Sequence, residues 1–220
     1  MSQYSTFDPI PPVPTYKIVF VGDAGCGKSS IIHKFYYNEF SSLKHSTIGG
    51  EFKSIEMQTE GTKTKINLHT WDTAGQERYK SLVKLYFRGA DAIIFVFDLT
   101  NVESLINIES WINEYILHSP SYGDNLTPLY IVGNKTDLSH DDNTQFIDAL
   151  IKKYNLIWFE TSAKTGKHVN DLFTKIAADM IKINKDQLDD KIVDIAEPHS
   201  MVSVNYWTSY LLSWGKPKCC

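Results

Sequence analysis

The stretch that most restricts what this chain can fold into is Gly22-Asp23-Ala24-Gly25-Cys26-Gly27-Lys28-Ser29. This GxxxxGK[ST] pattern is set between a short apolar run, Tyr16 to Val21, and a helical period marked by Ile31, Ile32, Phe35 and Tyr36. Strand, loop and helix in that order let glycines turn backbone N–H groups toward phosphate oxygens, while the helix N-terminus adds favourable partial charge. Asp23, Ala24, Gly25, Cys26, Gly27, Lys28, Ser29 and Ser30 are therefore expected to form a phosphate cradle. Lys28 would reach the outer phosphates and Ser29 would ligate Mg²⁺. Cys26 reads as a small loop residue, since no His or second Cys stands beside it.

Around this loop the chain alternates short apolar runs with helical periods, the pattern of a parallel sheet flanked by helices. Tyr16 to Val21, Asp91 to Asp98, Leu129 to Val132 and Leu156 to Phe159 are expected to be buried strands. Helical spacing links Leu105, Ile108, Ile112, Tyr115 and Ile116, then Phe146, Ile147, Leu150, Ile151 and Tyr154. Val169, Leu172, Phe173, Ile176, Ala177 and Met180 form the last stripe. Three regions follow: a Pro-rich, unfolded leader at 1–15, an α/β domain at 16–184, and a tail at 185–220 where regular alternation stops.

Composition narrows the function. A net charge of −4 gives no basic field for nucleic acid. Three cysteines, two of them at the last two positions, make no disulfide framework and fit a reducing setting. Neither a spanning apolar run nor a secretory leader is present, so membrane contact is expected to be peripheral or lipid-mediated. The triplet Asn125-Leu126-Thr127 matches a glycosylation acceptor but has no secreted context.

A phosphate loop alone does not separate ATPases, kinases and GTPases; three more stretches do. Trp71-Asp72-Thr73-Ala74-Gly75-Gln76-Glu77 follows a strand, placing Asp72 for the Mg²⁺ shell and Gly75 near a terminal phosphate. Asn134-Lys135-Thr136-Asp137 follows another, and the Asp137 carboxylate can accept from the paired N1 and N2 donors of guanine. Adenine lacks that pair. Thr161-Ser162-Ala163-Lys164, after the last strand, is placed to offer a backbone N–H to the guanine carbonyl.

With these four motifs in order, residues 16–184 resemble the Ras superfamily of small GTPases. The resemblance implies a three-layer P-loop GTPase fold, a mostly parallel six-stranded sheet between helices. It implies that Thr47 closes on the terminal phosphate and Mg²⁺, that Phe40 packs against the guanine edge, and that Gln76 orients the attacking water. The catalytic set it implies is thus Gln76, Lys28 and Thr47; the metal set is Ser29, Thr47 and Asp72. The chain has only two arginines, Arg78 and Arg88, and none at 43–46. An arginine finger supplied in cis by the first switch is excluded, so hydrolysis is expected to be slow without an activating protein that brings an arginine.

Residues 51–60 and 63–71 read as a hairpin turning at Gly61, with Ile55, Met57, Ile66 and Leu68 inward and Phe52 and Trp71 outward by parity. Together with Tyr86, these resemble the aromatic triad of Rab proteins, and Tyr86-Phe87-Arg88-Gly89-Ala90 resembles the Rab signature after the second switch. Ile48, Phe52, Trp71 and Tyr86 are then the effector-facing residues. Gly50 and Glu51 depart from the usual Rab pair of Val then Asp, and Gly50 is expected to loosen the backbone there.

Terminal Cys219-Cys220 looks like the Rab double geranylgeranylation site, and two chains anchor where one is marginal. Residues Val204, Trp207, Tyr210, Leu211 and Trp214 recur at helical spacing, suiting an interfacial helix, a partner or the domain itself equally. The Rab resemblance implies a switch in vesicle trafficking on the cytoplasmic face of intracellular membranes, cycling with cytosol. Its implied partners are an exchange factor, a GTPase-activating protein, effectors, a GDP-dissociation inhibitor and a prenylation escort. The competing reading is a nucleotide-binding scaffold with little hydrolysis.

Overall fold

A computed structural model describes residues 13–41, 47, 49–58, 64–75, 80–119 and 127–196. Gln76, Arg78, Ile48, the first-switch residues 43–46, the turn at Gly61, segment 204–214 and Cys219-Cys220 lie outside these residues. Contacts divide the chain into two compact units, Met1–Ile183 and Asn184–Cys220.

Among the described residues six strands form one sheet: β1 (Thr15–Val21), β2 (Gly50–Gln58), β3 (Lys65–Thr73), β4 (Ala92–Asp98), β5 (Leu129–Asn134) and β6 (Ile157–Thr161). Their spatial order is β2-β3-β1-β4-β5-β6. Only the β2–β3 pair is antiparallel; the other four pairs run parallel. The helices between them are α1 (Lys28–Tyr37), α2 (Lys80–Phe87), α3 (Val102–His118), α4 (Thr144–Tyr154) and α5 (Val169–Ala196).

Strand parity produces the layers. Ile18, Phe20, Ile94, Val96 and Val132 face Ile31 and Ile32 of α1 and Leu172, Phe173 and Ile176 of α5. Val19, Val21, Ile93, Phe95 and Ile131 face Val83 and Phe87 of α2, Leu105, Ile108 and Trp111 of α3, and Ile147 and Leu150 of α4. The central strands are apolar on both faces because both are covered. Phe173 shows how tight the first layer is: its ring stacks on Phe35 with centroids 3.7 Å apart and on Phe20 at 5.9 Å. Burying a ring of that kind contributes about 1.5–3 kcal/mol.

Two expectations need adjusting, and one helix is new. The last strand begins one residue later than Leu156 and is an edge strand, so its residues 157–160 are only half-buried. The helix α5 continues to Ala196, although its apolar stripe ends near 184. A helix needs no stripe to persist, and the first strong breaker downstream is Pro198. The eight-residue α2 was not anticipated from periodicity.

Order β3-β1-β4 places a switch point at the carboxyl end of β1. The connection from β1 leads to the β2–β3 side and that from β4 to the β5–β6 side, which opens a crevice there.

Candidate functional site

The loop after β1 enters α1 through Gly27, at φ 99°, in the left-handed region that glycine tolerates. A Cβ on Gly27 would sit 2.1 Å from Asn134 Nδ2, so a larger residue is excluded by space as well. No side chain caps α1 and its first turn carries no acid, which leaves its N-terminal amides facing a ligand site. Lys28 is buried, its ammonium donating to Gly22 O at 2.7 Å and Asp23 O at 2.9 Å. It also lies 3.8 Å from Cys26 Sγ, a weak acceptor that a phosphate oxygen would displace. Burial pushes the Cys26 thiol up, despite the neighbouring Lys28 charge. A thiol held protonated is a poor nucleophile.

Gly75, after β3, comes against this loop so closely that a Cβ would lie 2.4 Å from the Asp23 carbonyl carbon. Nearby, Ser29 Oγ and Thr47 Oγ1 are 2.8 Å apart, and the Thr47 hydroxyl donates to Asp72 Oδ2 at 3.5 Å. Two hydroxyls and a carboxylate gathered this way are hard oxygen donors, the set that suits Mg²⁺.

At the other end, Asn134 holds three loops together. Its Nδ2 donates to Cys26 O at 2.9 Å, and its Oδ1 accepts from Thr161 Oγ1 at 3.2 Å and Ala163 N at 3.1 Å. Lys135, at φ 73°, stretches to Asp98 Oδ2 at 2.5 Å. Burial works upward on the Asp98 carboxyl, but hydrogen bonds from Lys135 and Thr100 outweigh it and hold the group below the usual carboxylate range. Asp137 accepts the Ser162 hydroxyl at 2.6 Å on one oxygen and has Lys164 Nζ at 3.7 Å from the other.

These elements enclose a cavity of about 470 Å³. It is lined by Ala24, Gly25, Gly27, Lys28, Ser29, Ser30, Phe40, Thr47, Gly75, Asn134, Lys135, Asp137, Ala163 and Lys164, all anticipated from sequence. Ser41, Thr73 and Leu138 also line it and were not. Asp23, Cys26 and Ser162 do not line it. The Asp23 carboxylate turns to α3, Cys26 is buried beneath the loop, and Ser162 orients Asp137. The N–H groups of Ser162 and Ala163 are engaged within the fold, on Lys167 O and Asn134 Oδ1. Phe40, 41% exposed, stands at the rim.

Beyond the cavity, Phe52 and Trp71 are cross-strand partners with ring centroids 5.2 Å apart, and Tyr86 of α2 lies 5.3 Å from Trp71. Phe52 is 47% exposed, whereas Trp71 and Tyr86 are half-buried. Gly50 does more than loosen the chain: a Cβ there would be 2.7 Å from the Tyr86 hydroxyl, so the missing side chain makes room for that ring. Arg88 follows α2, and its carbonyl accepts from Lys17 Nζ near the start of β1. Five residue steps, roughly 16 Å, separate Lys17 from Gly22.

Fold and site together define a nucleotide-binding α/β domain with a basic phosphate end and a carboxylate at the base end. The Ras family model matches residues 17–182. GTP-binding protein ypt5 of Schizosaccharomyces pombe is 40% identical over 164 residues, covering 73% of this chain and 75% of its own. GTP-binding protein YPT52 of Saccharomyces cerevisiae is 35% identical over 201 residues, covering 79% and 85%. Ras-related protein Rab7 of Pisum sativum is 34% identical over 177 residues, covering 78% and 84%. The chain belongs to the Ras family, as a Rab-type small GTPase that binds guanine nucleotide.

Proposed function

We propose that this GTPase is a slow molecular switch for intracellular vesicle trafficking that depends on Mg²⁺ and reads guanine through Asp137. The observation that carries the reading is one cavity with the Lys28 ammonium at one end and the Asp137 carboxylate at the other. Asp137, pre-oriented by Ser162, accepts the guanine N1 and N2 hydrogens. Lys135 spans the base while anchored on Asp98, and Phe40 covers the edge at the rim. Lys28 keeps its two carbonyl contacts and offers its remaining donor to the outer phosphates.

Ser29, Thr47 and Asp72 would hold Mg²⁺, which would supply neutralising charge to the phosphate end of the cavity. Gln76 orients the attacking water. No arginine occurs at 43–46 and Arg88 sits by the opposite end of β1, so neither supplies a finger in cis; the arginine we assign to the site is a partner's. Phe52, Trp71 and Tyr86, with Ile48, form the face that effectors read, and their packing with one half-exposed ring suits a partner-binding anchor. Cys219 and Cys220 carry the lipid that brings the switch to membranes, extracted by a GDP-dissociation inhibitor and delivered by a prenylation escort.

The test is single-turnover phosphate release from pre-bound GTP. Turnover should be slow for the purified protein, slower still for Gln76→Leu, and raised by a Rab-directed activating protein. Fast release by the isolated chain, unaffected by Gln76→Leu, would defeat this mechanism.

A further inference from the structure

The carboxylate of Asp23 is the one polar side chain of the glycine-rich loop that turns away from the cavity. Its Oδ2 accepts from Asn107 Nδ2 and its Oδ1 from Trp111 Nε1, each at 2.8 Å, and both donors project from α3, one turn apart. Trp111 is buried, 1% exposed, in the layer between the sheet and α3. A two-point, charge-assisted grip of this kind leaves the residue little freedom.

What Asp23 does with its backbone gives the grip a consequence. Its carbonyl oxygen is one of the two that hold the Lys28 ammonium. The same peptide group is the surface against which Gly75 packs, with no space for a Cβ between them. A displacement of Asp23 would therefore move both the lysine and the glycine that flank the outer phosphates.

We infer that Asn107 and Trp111 are positioning residues for nucleotide binding: through Asp23 they set where Lys28 and Gly75 stand at the phosphate end of the cavity. The inference rests on the functional reading above and extends it to α3, which contributes no lining residue to the cavity. Helix α3 also reaches the base end: Ser104 Oγ accepts from Asp98 N at 3.0 Å while its hydroxyl donates to Asn101 O at 2.7 Å, and Asp98 anchors Lys135. The two ends of the site are thus registered on one helix.

The variants are Trp111→Phe, which keeps a large ring but deletes the N–H, and Asn107→Ala, which truncates at the half-buried edge of the same contact. The full chain, freed of nucleotide, is titrated with GDP and with GMP by competition against a fluorescent GDP, with thermal melting measured alongside. GMP keeps the base contacts but lacks the β-phosphate that Lys28 would hold. Each variant should bind GDP about tenfold more weakly, the scale of one hydrogen bond to a charged acceptor. GMP affinity should hardly change, so the preference for GDP over GMP falls about tenfold. Combining Trp111→Phe with Asp23→Asn should cost less than the sum of the two.

Equal losses for GDP and GMP would mean general loosening of the fold and would overturn the inference, as would unchanged GDP affinity in both variants. Should Trp111→Phe fail to fold, Asn107→Ala alone decides by the same ratio. Failure of the parent chain to bind GDP would instead strike at the proposed function.

Discussion

Replacing Asp137 by Asn deletes a charge and little else in volume, which makes it the sharpest probe of base recognition. The native carboxylate is 13% exposed, with the Ser162 hydroxyl 2.6 Å from one oxygen. An amide can keep the Ser162 bond through its carbonyl, so stability without nucleotide should shift by no more than about 1 kcal/mol. Toward guanine the change is costlier. One of two charge-assisted bonds is lost, at about 1.5–3 kcal/mol, and an N–H is set against a guanine donor, leaving buried donors unpaired at about 1–3 kcal/mol more.

The sum, about 2.5–6 kcal/mol, corresponds to about 10² to 10⁴ in affinity. Xanthosine diphosphate carries a carbonyl where guanosine diphosphate has its amino group, and the new amide can donate to it. Titration of both nucleotides against parent and variant should show a crossover: GDP weakened by that factor and xanthosine diphosphate strengthened. Parallel weakening of both, or no change in either, would refute the placement of the base at Asp137.

Other perturbations give separate expectations. Gly50→Val should push the Tyr86 hydroxyl off its seat and shift the Trp71–Tyr86 contact, changing affinity for a Rab-effector domain with GDP affinity unchanged; identical effector binding by parent and variant would contradict it. Asp98 titrates below its unfolded value of 3.8, so its stabilising contribution is present above that pH and lost as pH falls through the lower folded value. Asp98→Asn should accordingly lower stability at neutral pH and flatten the acid limb of a denaturation profile; an unchanged slope below pH 4 would count against the Lys135 contact. Exchanging Cys219 and Cys220 for Ser should convert punctate membrane staining of a tagged copy to diffuse cytosol, and identical staining would remove the lipid anchor.

Much of the site could be read from residue order because its parts are backbone-driven. A GxxxxGKS loop between a strand and a helix, followed by Asp72 and Asp137 at later strand ends, has few ways to fold other than around one crevice. The hairpin faces followed from parity alone, since Phe52 and Trp71 differ by an odd count from Ile55 and Leu68. What escaped was tertiary in origin. Asn107 and Trp111 look like ordinary members of an amphipathic helix until α3 is laid beside Asp23, 84 and 88 residues earlier. Asp98 ends a strand with no motif around it, and its partner Lys135 is 37 residues away. Leu138 and Ser41 contribute shape to the cavity, for which residue type carries no mark. The half-buried β6 looked like a buried strand because its apolar run is as dense as an interior one; only its place at the sheet edge distinguishes it.

The function of this site depends on a base pocket that distinguishes two purines. Competition of unlabelled GDP and ADP for a fluorescent GDP complex, with Mg²⁺ present, tests this directly. A pocket built to pair two N–H donors should reject the base lacking them by about 10⁴-fold, so ADP should fail to displace the probe even at roughly a thousandfold excess. Displacement by ADP within about tenfold of the GDP concentration would contradict it.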